Sequence, residues 1–484
     1  MAATESEAIL ARFATSAFLS PWSYSNPYND KKQHGKGSGK EICDFLVVFG
    51  AHILVFSDKH VDLKESVDLD VAWKRWYRDG IKESFDQIRG AERWIEAFPS
   101  RVYADRDCTT PLEVSWPTSP RIHRIVVVRG AAQRAWVEKG TTSLAVTSEV
   151  FSPTAKPFVL CQPSGDAFCH IFEEKALGIV LDFLDTAPDF IAYLCAKEGL
   201  FANASSVYSP SEQDLLANYI DNLDADEQHC FPPTPPGKPI VVEAGQWDRF
   251  QQSEQHAAWK QANPISYEWD RIVERFYKHH IAGTQYFLDQ TNTTPEIKEL
   301  LRFLADRDRF QRRVLSEKIL ELVGKIDGEV DFRLTSVVVP KRPPHVFFGL
   351  LVLSELSYCK DYESFRIARR RILECLAFAI KHVHPQAEDI VCLGIDSTAS
   401  GQSEDALYLD AREWGDDERE RARSCHEDGG LLKKTQQDST DRWEFPVKVK
   451  APVAQRIIRK QGRNERCQCG SGKKFKNCCL RSSQ

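Results

Sequence analysis

The residues with the most pointed chemistry stand near the end of the chain. Cys467, Cys469, Cys478 and Cys479 are spaced C-x-C-x8-C-C. Two thiol pairs flanking a turn that carries Gly470 and Gly472 can bring four sulfurs to ~2.3 Å from one ion, in the tetrahedron of a structural zinc site. Arg463, Arg466, Lys473, Lys474 and Lys476 surround the thiols. Their charge offsets the net of about −2 on Zn²⁺ bound by four thiolates and favours the thiolate form. A disulfide between the adjacent Cys478 and Cys479 would be strained. The expected cofactor is therefore one structural Zn²⁺ per chain.

The stretch GRNERCQCGSGKKFKNCC resembles the SEC-C motif, known as the zinc-binding tail of the protein-export motor SecA, whose pattern is GRNDPCPCGSGKKYKKCC. Glu465, Arg466 and Gln468 stand where the family has Asp, Pro and Pro, and none of these is a ligand. The resemblance covers about the last two dozen residues. It implies a metal-stabilised module used for docking on other macromolecules.

A second group lies near the other end. EICDFLVVFGAHILVFSDK reads as a hairpin, with strands from about Ile42 to Phe49 and from His52 to Ser57 around a turn at Gly50-Ala51. A helix from about Asp70 to Ala97 follows. Asp44 on the first strand and Lys59 closing the second resemble the NERD and Mrr-like branch of the PD-(D/E)xK nucleases. That resemblance implies carboxylates holding Mg²⁺, a lysine that positions or activates water, and a supporting helical glutamine, here Gln87. One departure is visible. Side chains alternate along a strand, so Lys59 shares its face with Ser57, Val55 and Ile53, and Asp58 points the other way with Phe56 and Leu54. The family's second acid thus falls on Ser57. A working metal site needs a bulge that turns Asp58, or Glu41 or Glu83 in its place; Glu83 lies one helical turn before Gln87.

These groups need elements to position them. A chain of 484 residues with 42% apolar side chains can bury more than one core. The predicted class is α+β. It comprises a leader and loop over residues 1–37, a nuclease-like mixed-sheet domain over 38–205, a linker over 206–240 that includes FPPTPPGKP, a second α/β or α+β domain over 241–412, a polar segment over 413–455 and the small zinc knuckle over 456–484. In the first domain Phe158 to Phe172 is expected to fold as a hairpin at Pro163-Ser164-Gly165-Asp166. His123 and His170, in apolar strands, read as structural histidines. In the second domain Arg366, Arg369, Arg370 and Arg371 read as a solvated helix face.

Charge bears on partners. The net charge is −6, yet from Arg456 onward nine Lys or Arg residues face one acid, Glu465, which leaves the body strongly acidic. A basic tail on an acidic body suits nucleic acid, a ribosome or other nucleoprotein, or the acidic surface of a chaperone; alternatively it balances the thiolate centre. The other ten cysteines lack paired spacing and read as reduced thiols. MAATESEAILARF has no basic-then-apolar leader, and the longest aliphatic run, Val346 to Leu353, is too short for a bilayer. The expectation is a cytoplasmic protein without a membrane partner. Two functions compete: a divergent metal-dependent nuclease with Asp44 as metal ligand and Lys59 as catalytic lysine, and a non-enzymatic binding protein that docks through its zinc tail.

Overall fold

The computed structural model describes residues 17–31, 38–225, 227–233, 235–282, 294–326, 329–340, 344–396, 404–433 and 443–446. Cys467, Cys469, Cys478 and Cys479 lie outside them. The fold is α+β.

The first half supplies nine longer strands: β1 (Ser23–Ser25), β2 (Phe45–Phe49), β3 (His52–His60), β4 (Arg121–Arg129), β5 (Ala145–Val150), β6 (Val159–Gln162), β7 (His170–Glu173), β8 (Ser206–Ser209) and β9 (Pro239–Val241). One sheet runs β1-β2-β3-β4-β7, and a second runs β9-β8-β5-β6. The predicted hairpin is β2–β3, paired from Phe45↔Phe56 to Phe49↔His52, with Gly50 in the left-handed region (φ 58°) at its turn. β3, β4 and β7 are parallel, so their carboxyl ends share one edge of the sheet.

The crossover from β3 to β4 is the predicted helix, in two pieces: α1 (Leu69–Trp76) and α2 (Glu83–Ala97), joined by a wide π-type turn over Tyr77–Lys82. Gly80 in that turn lets the helix lie close to the sheet, because a Cβ there would meet Val128 at 3.0 Å. The other face of the sheet is covered by α3 (Glu174–Phe183) and α4 (Ala187–Asn203), and α5 (Glu212–Ile220) follows. Strand alternation sorts the two cores cleanly. Phe45, Val47, Phe49, Leu54, Phe56 and Val127 pack toward α3 and α4, while Leu46, Val48, Ile53, Val55 and Val128 pack toward Trp73, Trp76 and Ile88 of α1 and α2.

In the second half α6 (Tyr267–Ile281), α7 (Thr294–Ala305) and α8 (Arg309–Ile326) precede a sheet of β10 (Arg333–Val338), β11 (Val346–Leu353), β12 (Asp389–Asp396) and β13 (Glu404–Asp410). β11 and β12 are parallel, joined by α9 (Tyr362–Val383), which starts at a capping box of Asp361 and Ser364. α10 (Asp416–Glu427) packs on α9. The core under α3 and α4 is continuous through Trp269, Leu315, Phe348 and Val391, so both halves share it.

Several expectations change. Residues 206–240 are not a bare linker: β8 and β9 pair with each other, β8 also joins β5, and α5 is largely buried. Tyr208, Val207 and Ile240 give this stretch strand character that its prolines mask. Ser23–Ser25, expected as part of a leader, is an edge strand on β2. Phe158 to Phe172 is not a hairpin, because β6 pairs with β5 and β7 with β4 in different sheets. The polar segment contains α10, whose Ala422 and Cys425 are buried. The arginines of α9 are not a solvated face. Arg369 is fully buried against Asp405 and Asp396, and Arg366 also pairs with Asp405; Arg371 is exposed.

Candidate functional site

The hairpin site is built from the carboxyl ends of the strands. Asp44 immediately precedes β2, and its Oδ2 accepts a hydrogen bond of 2.6 Å from the backbone N–H of Asp58. β3 pairs with β4 residue by residue from His52 to His60, with no bulge. Asp58 therefore stays on the face opposite Lys59, as alternation dictates. Its carboxylate accepts two hydrogen bonds from Arg129, at 2.9 Å from Nε and 2.7 Å from Nη2, and its side chain is 1% exposed. The same guanidinium reaches Glu174, the first residue of α3, at 2.6 Å. Burial lifts the Asp58 carboxyl above its ordinary value; Arg129 opposes that rise, and Asp44 and Glu174 add to it. The bulge that would have turned Asp58 toward Lys59 is absent because β4 holds every residue of the strand in register.

On the other face Lys59 forms an ion pair with Glu83 of α2, and the Ser57 hydroxyl lies 3.4 Å from Gln87 Oε1. Ser57, Lys59, Glu83 and Gln87 thus come together as their spacing predicts. Glu41 lies elsewhere, on a two-residue strand paired with Tyr28–Asn29 in a separate small sheet. Among the described residues, no three of Glu41, Asp44, Asp58 and Glu83 bring carboxylate oxygens within 4.8 Å of one another. The face can hold a buried hydroxyl and a neutralised lysine. It lacks a converging set of acids.

The opposite ends of the same strands carry a cluster the sequence did not disclose. His52, His123 and His170 stand on β3, β4 and β7, all on the face toward α4, which contributes Cys195 and Glu198 one turn apart. His52 Nδ1 lies 2.9 Å from His123 Nε2. Glu198 Oε1 lies 2.7 Å from His123 Nδ1 and 3.0 Å from His170 Nε2, and Oε2 accepts from Arg121 at 2.6 Å. Burial pushes His170 down to about 3 and His52 down to about 4, so both rings are neutral at pH 7. Burial resists ionisation of Glu198, but its hydrogen bonds with His123 and His170 hold its carboxyl well below the usual carboxylate range. Strand alternation could have placed His52 and His123 on one face. The pairing of three strands and the docking of α4 supply the rest.

The family model of the SEC-C motif matches residues 463–481, which include all four tail cysteines. No curated protein and no solved structure matches the chain. No helix among the described residues is long and apolar enough to cross a membrane.

Proposed function

We propose that the chain is a nucleic-acid-binding protein that keeps a nuclease-like scaffold without the metal chemistry and engages its partner through a basic, zinc-dependent tail. The observation that carries this reading is the Arg129 guanidinium, which pairs with both Asp58 and Glu174. A built-in cation neutralises the acids at the carboxyl ends of the strands. On the Lys59 face a serine, Ser57, stands where the second acid is needed, and Glu83 neutralises the lysine. Mg²⁺ requires several oxygen ligands at ~2.0–2.1 Å; the hairpin carboxylates do not fit that demand.

For the tail the argument rests on donor chemistry. Four thiols in two close pairs suit zinc, and four cysteine ligands close the coordination sphere, so the metal would hold the module's shape and leave the substrate to other groups. Nine Lys or Arg residues against one acid suit contact with phosphates. The second reading, a divergent nuclease, is favoured by the gathering of Asp44, Asp58 and Lys59 at the carboxyl ends of the strands, the usual ligand edge of an open sheet.

The test is a paired assay on the purified full chain. With Mg²⁺ or Mn²⁺ it is expected to leave single- and double-stranded DNA and RNA uncut. In fluorescence anisotropy it is expected to bind an oligonucleotide with an affinity that falls steeply from ~50 to ~200 mM salt. Replacing Cys467, Cys469, Cys478 and Cys479 by serine should weaken that binding about tenfold or more, as expected when several phosphate contacts are lost. Cleavage that Asp44→Ala and Lys59→Ala both abolish would establish the nuclease instead. Binding that is indifferent to the four serines would remove the tail from the account.

A further inference from the structure

The histidine cluster at the amino-terminal ends of β3, β4 and β7 takes no part in the hairpin face, and its composition is that of a metal site. The geometry points to a cation of the Zn²⁺ class held by His52, His123 and Cys195, with Glu198 fixing the His123 ring from behind. One ligand atom from each of the three residues lies within 4.8 Å of the other two. The donors come from β3, β4 and α4, three regular elements packed on one another, so the backbone holds them together without a flexible loop.

The orientation of His123 is the central point. The Glu198 carboxylate lies 2.7 Å from His123 Nδ1 and accepts the ring proton there. The lone pair of Nε2 then points at His52, whose Nδ1 is 2.9 Å away. A metal-bound histidine nearly always donates its second N–H to a carboxylate or carbonyl, which both orients the ring and raises its basicity. Glu198 is that carboxylate, and it is itself held by His170 at 3.0 Å and Arg121 at 2.6 Å. In a tetrahedron with Zn–N bonds of ~2.0–2.1 Å, two ligand nitrogens stand ~3.3 Å apart. The rings need to part by only a few tenths of an ångström to admit an ion in place of the proton they share.

A different trio, His123, His170 and Glu198, also meets the distance requirement. It fits less well. His170 Nδ1 is buried with no hydrogen-bond partner, so a metal on its Nε2 would drive the ring proton onto an atom that has no acceptor. Glu198 would also give up its hold on His123. In the favoured trio His52 and Cys195 are half-buried, so two of the three donors are within reach of solvent. Two imidazoles and a thiolate select zinc or a similar borderline-soft divalent ion over Mg²⁺ or Ca²⁺.

The experiment uses the full chain with Cys467, Cys469, Cys478 and Cys479 changed to serine, so that the tail thiols contribute no metal. After incubation with Zn²⁺ or Co²⁺ and desalting, metal analysis should find about one ion per chain, as a single three-donor site requires. The Co²⁺ form should show thiolate-to-metal absorption in the near ultraviolet. Cys195→Ser should abolish that absorption, His52→Gln and His123→Gln should release the ion, and His170→Gln should retain it; circular dichroism identifies any variant that fails to fold. His52 is half-exposed, so His52→Gln carries the test should His123→Gln fail to fold. A four-serine chain that retains no ion overturns the proposal. So does an ion that survives Cys195→Ser with its absorption unchanged, or one that depends on His170 and not on His52. Metal lost from the intact chain on making the four serines reports on the SEC-C tail alone, so the two zinc claims stand or fall separately.

Discussion

Arg129 decides what the acids of the hairpin can do. A buried carboxylate needs either a metal, a proton or a fixed cation, and Asp58 has the last of these in a two-bond contact. Removing the cation leaves the charge buried beside Glu174 and close to Asp44. Arg129→Met is therefore expected to lower stability at pH 7 by ~3–5 kcal/mol in urea unfolding. The sign of its pH dependence follows from Asp58, whose pKa burial already raises. In the folded variant the group takes up a proton at higher pH than in the unfolded chain, so part of the lost stability should return as the pH falls toward ~5. A variant equally unstable at both pH values would mean that the charge on Asp58 is not the cause. Gly130, the next residue, adds a steric constraint at the same edge. Its φ is +90° and a Cβ would come within 2.1 Å of the Val61 carbonyl oxygen, so only glycine passes there.

At the scale of elements, what matters is which short segments are tied down and by what. Residues 443–446 show this well. Glu444 pairs with His229 at 2.8 Å, Arg313 of α8 donates to the carbonyls of Trp443 and Glu444, and Phe445 meets Phe250 edge-on. Burial alone would lower the His229 pKa, yet Glu444 and Asp189 raise it to about 9. A histidine raised above its unfolded value of ~6.5 contributes stability that is complete below that pH and lost as the pH climbs through about 9. Wild-type protein should lose on the order of 2–3 kcal/mol between pH 6.5 and 9.5, and His229→Phe should flatten that slope. Equal slopes for the two proteins would reject this assignment. The α9 arginines teach a related lesson. Four arginines within six residues look like a solvated face until β13 brings Asp405 beneath two of them.

For the whole molecule, the question is whether the two halves unfold together. The shared core says they do, and so does the ion network at its centre. Arg309 donates to Asp185 at 2.6 Å and to Asp270 at 2.7 Å, and Arg312 donates to the other oxygen of Asp270 at 2.6 Å. Asp185 belongs to the first half, and the other three to the second. Arg309→Ala should destabilise the chain by ~3–5 kcal/mol, because buried Asp185 loses its guanidinium and Asp270 keeps only Arg312. Wild-type protein should give one coincident transition by far-ultraviolet dichroism and tryptophan fluorescence. Two separated transitions would show independent halves.

The sequence alone determined what local rules can fix. The SEC-C motif is legible without a fold, because its four cysteines are neighbours in the chain. Strand alternation put Lys59 and Ser57 on one side and Asp58 on the other, because a strand's period of two is a local property. Tertiary structure decided what long-range pairing controls. Arg129 is 71 residues from Asp58, and Glu198 is 75 from His123, so no spacing rule could join them. Segment 206–240 reads as a linker because of its FPPTPPGKP stretch, but pairing of β8 with β5 and β9 gives its backbone partners. Whether a buried acid meets a metal or a guanidinium depends on which strand lies beside it, and only the folded sheet sets that.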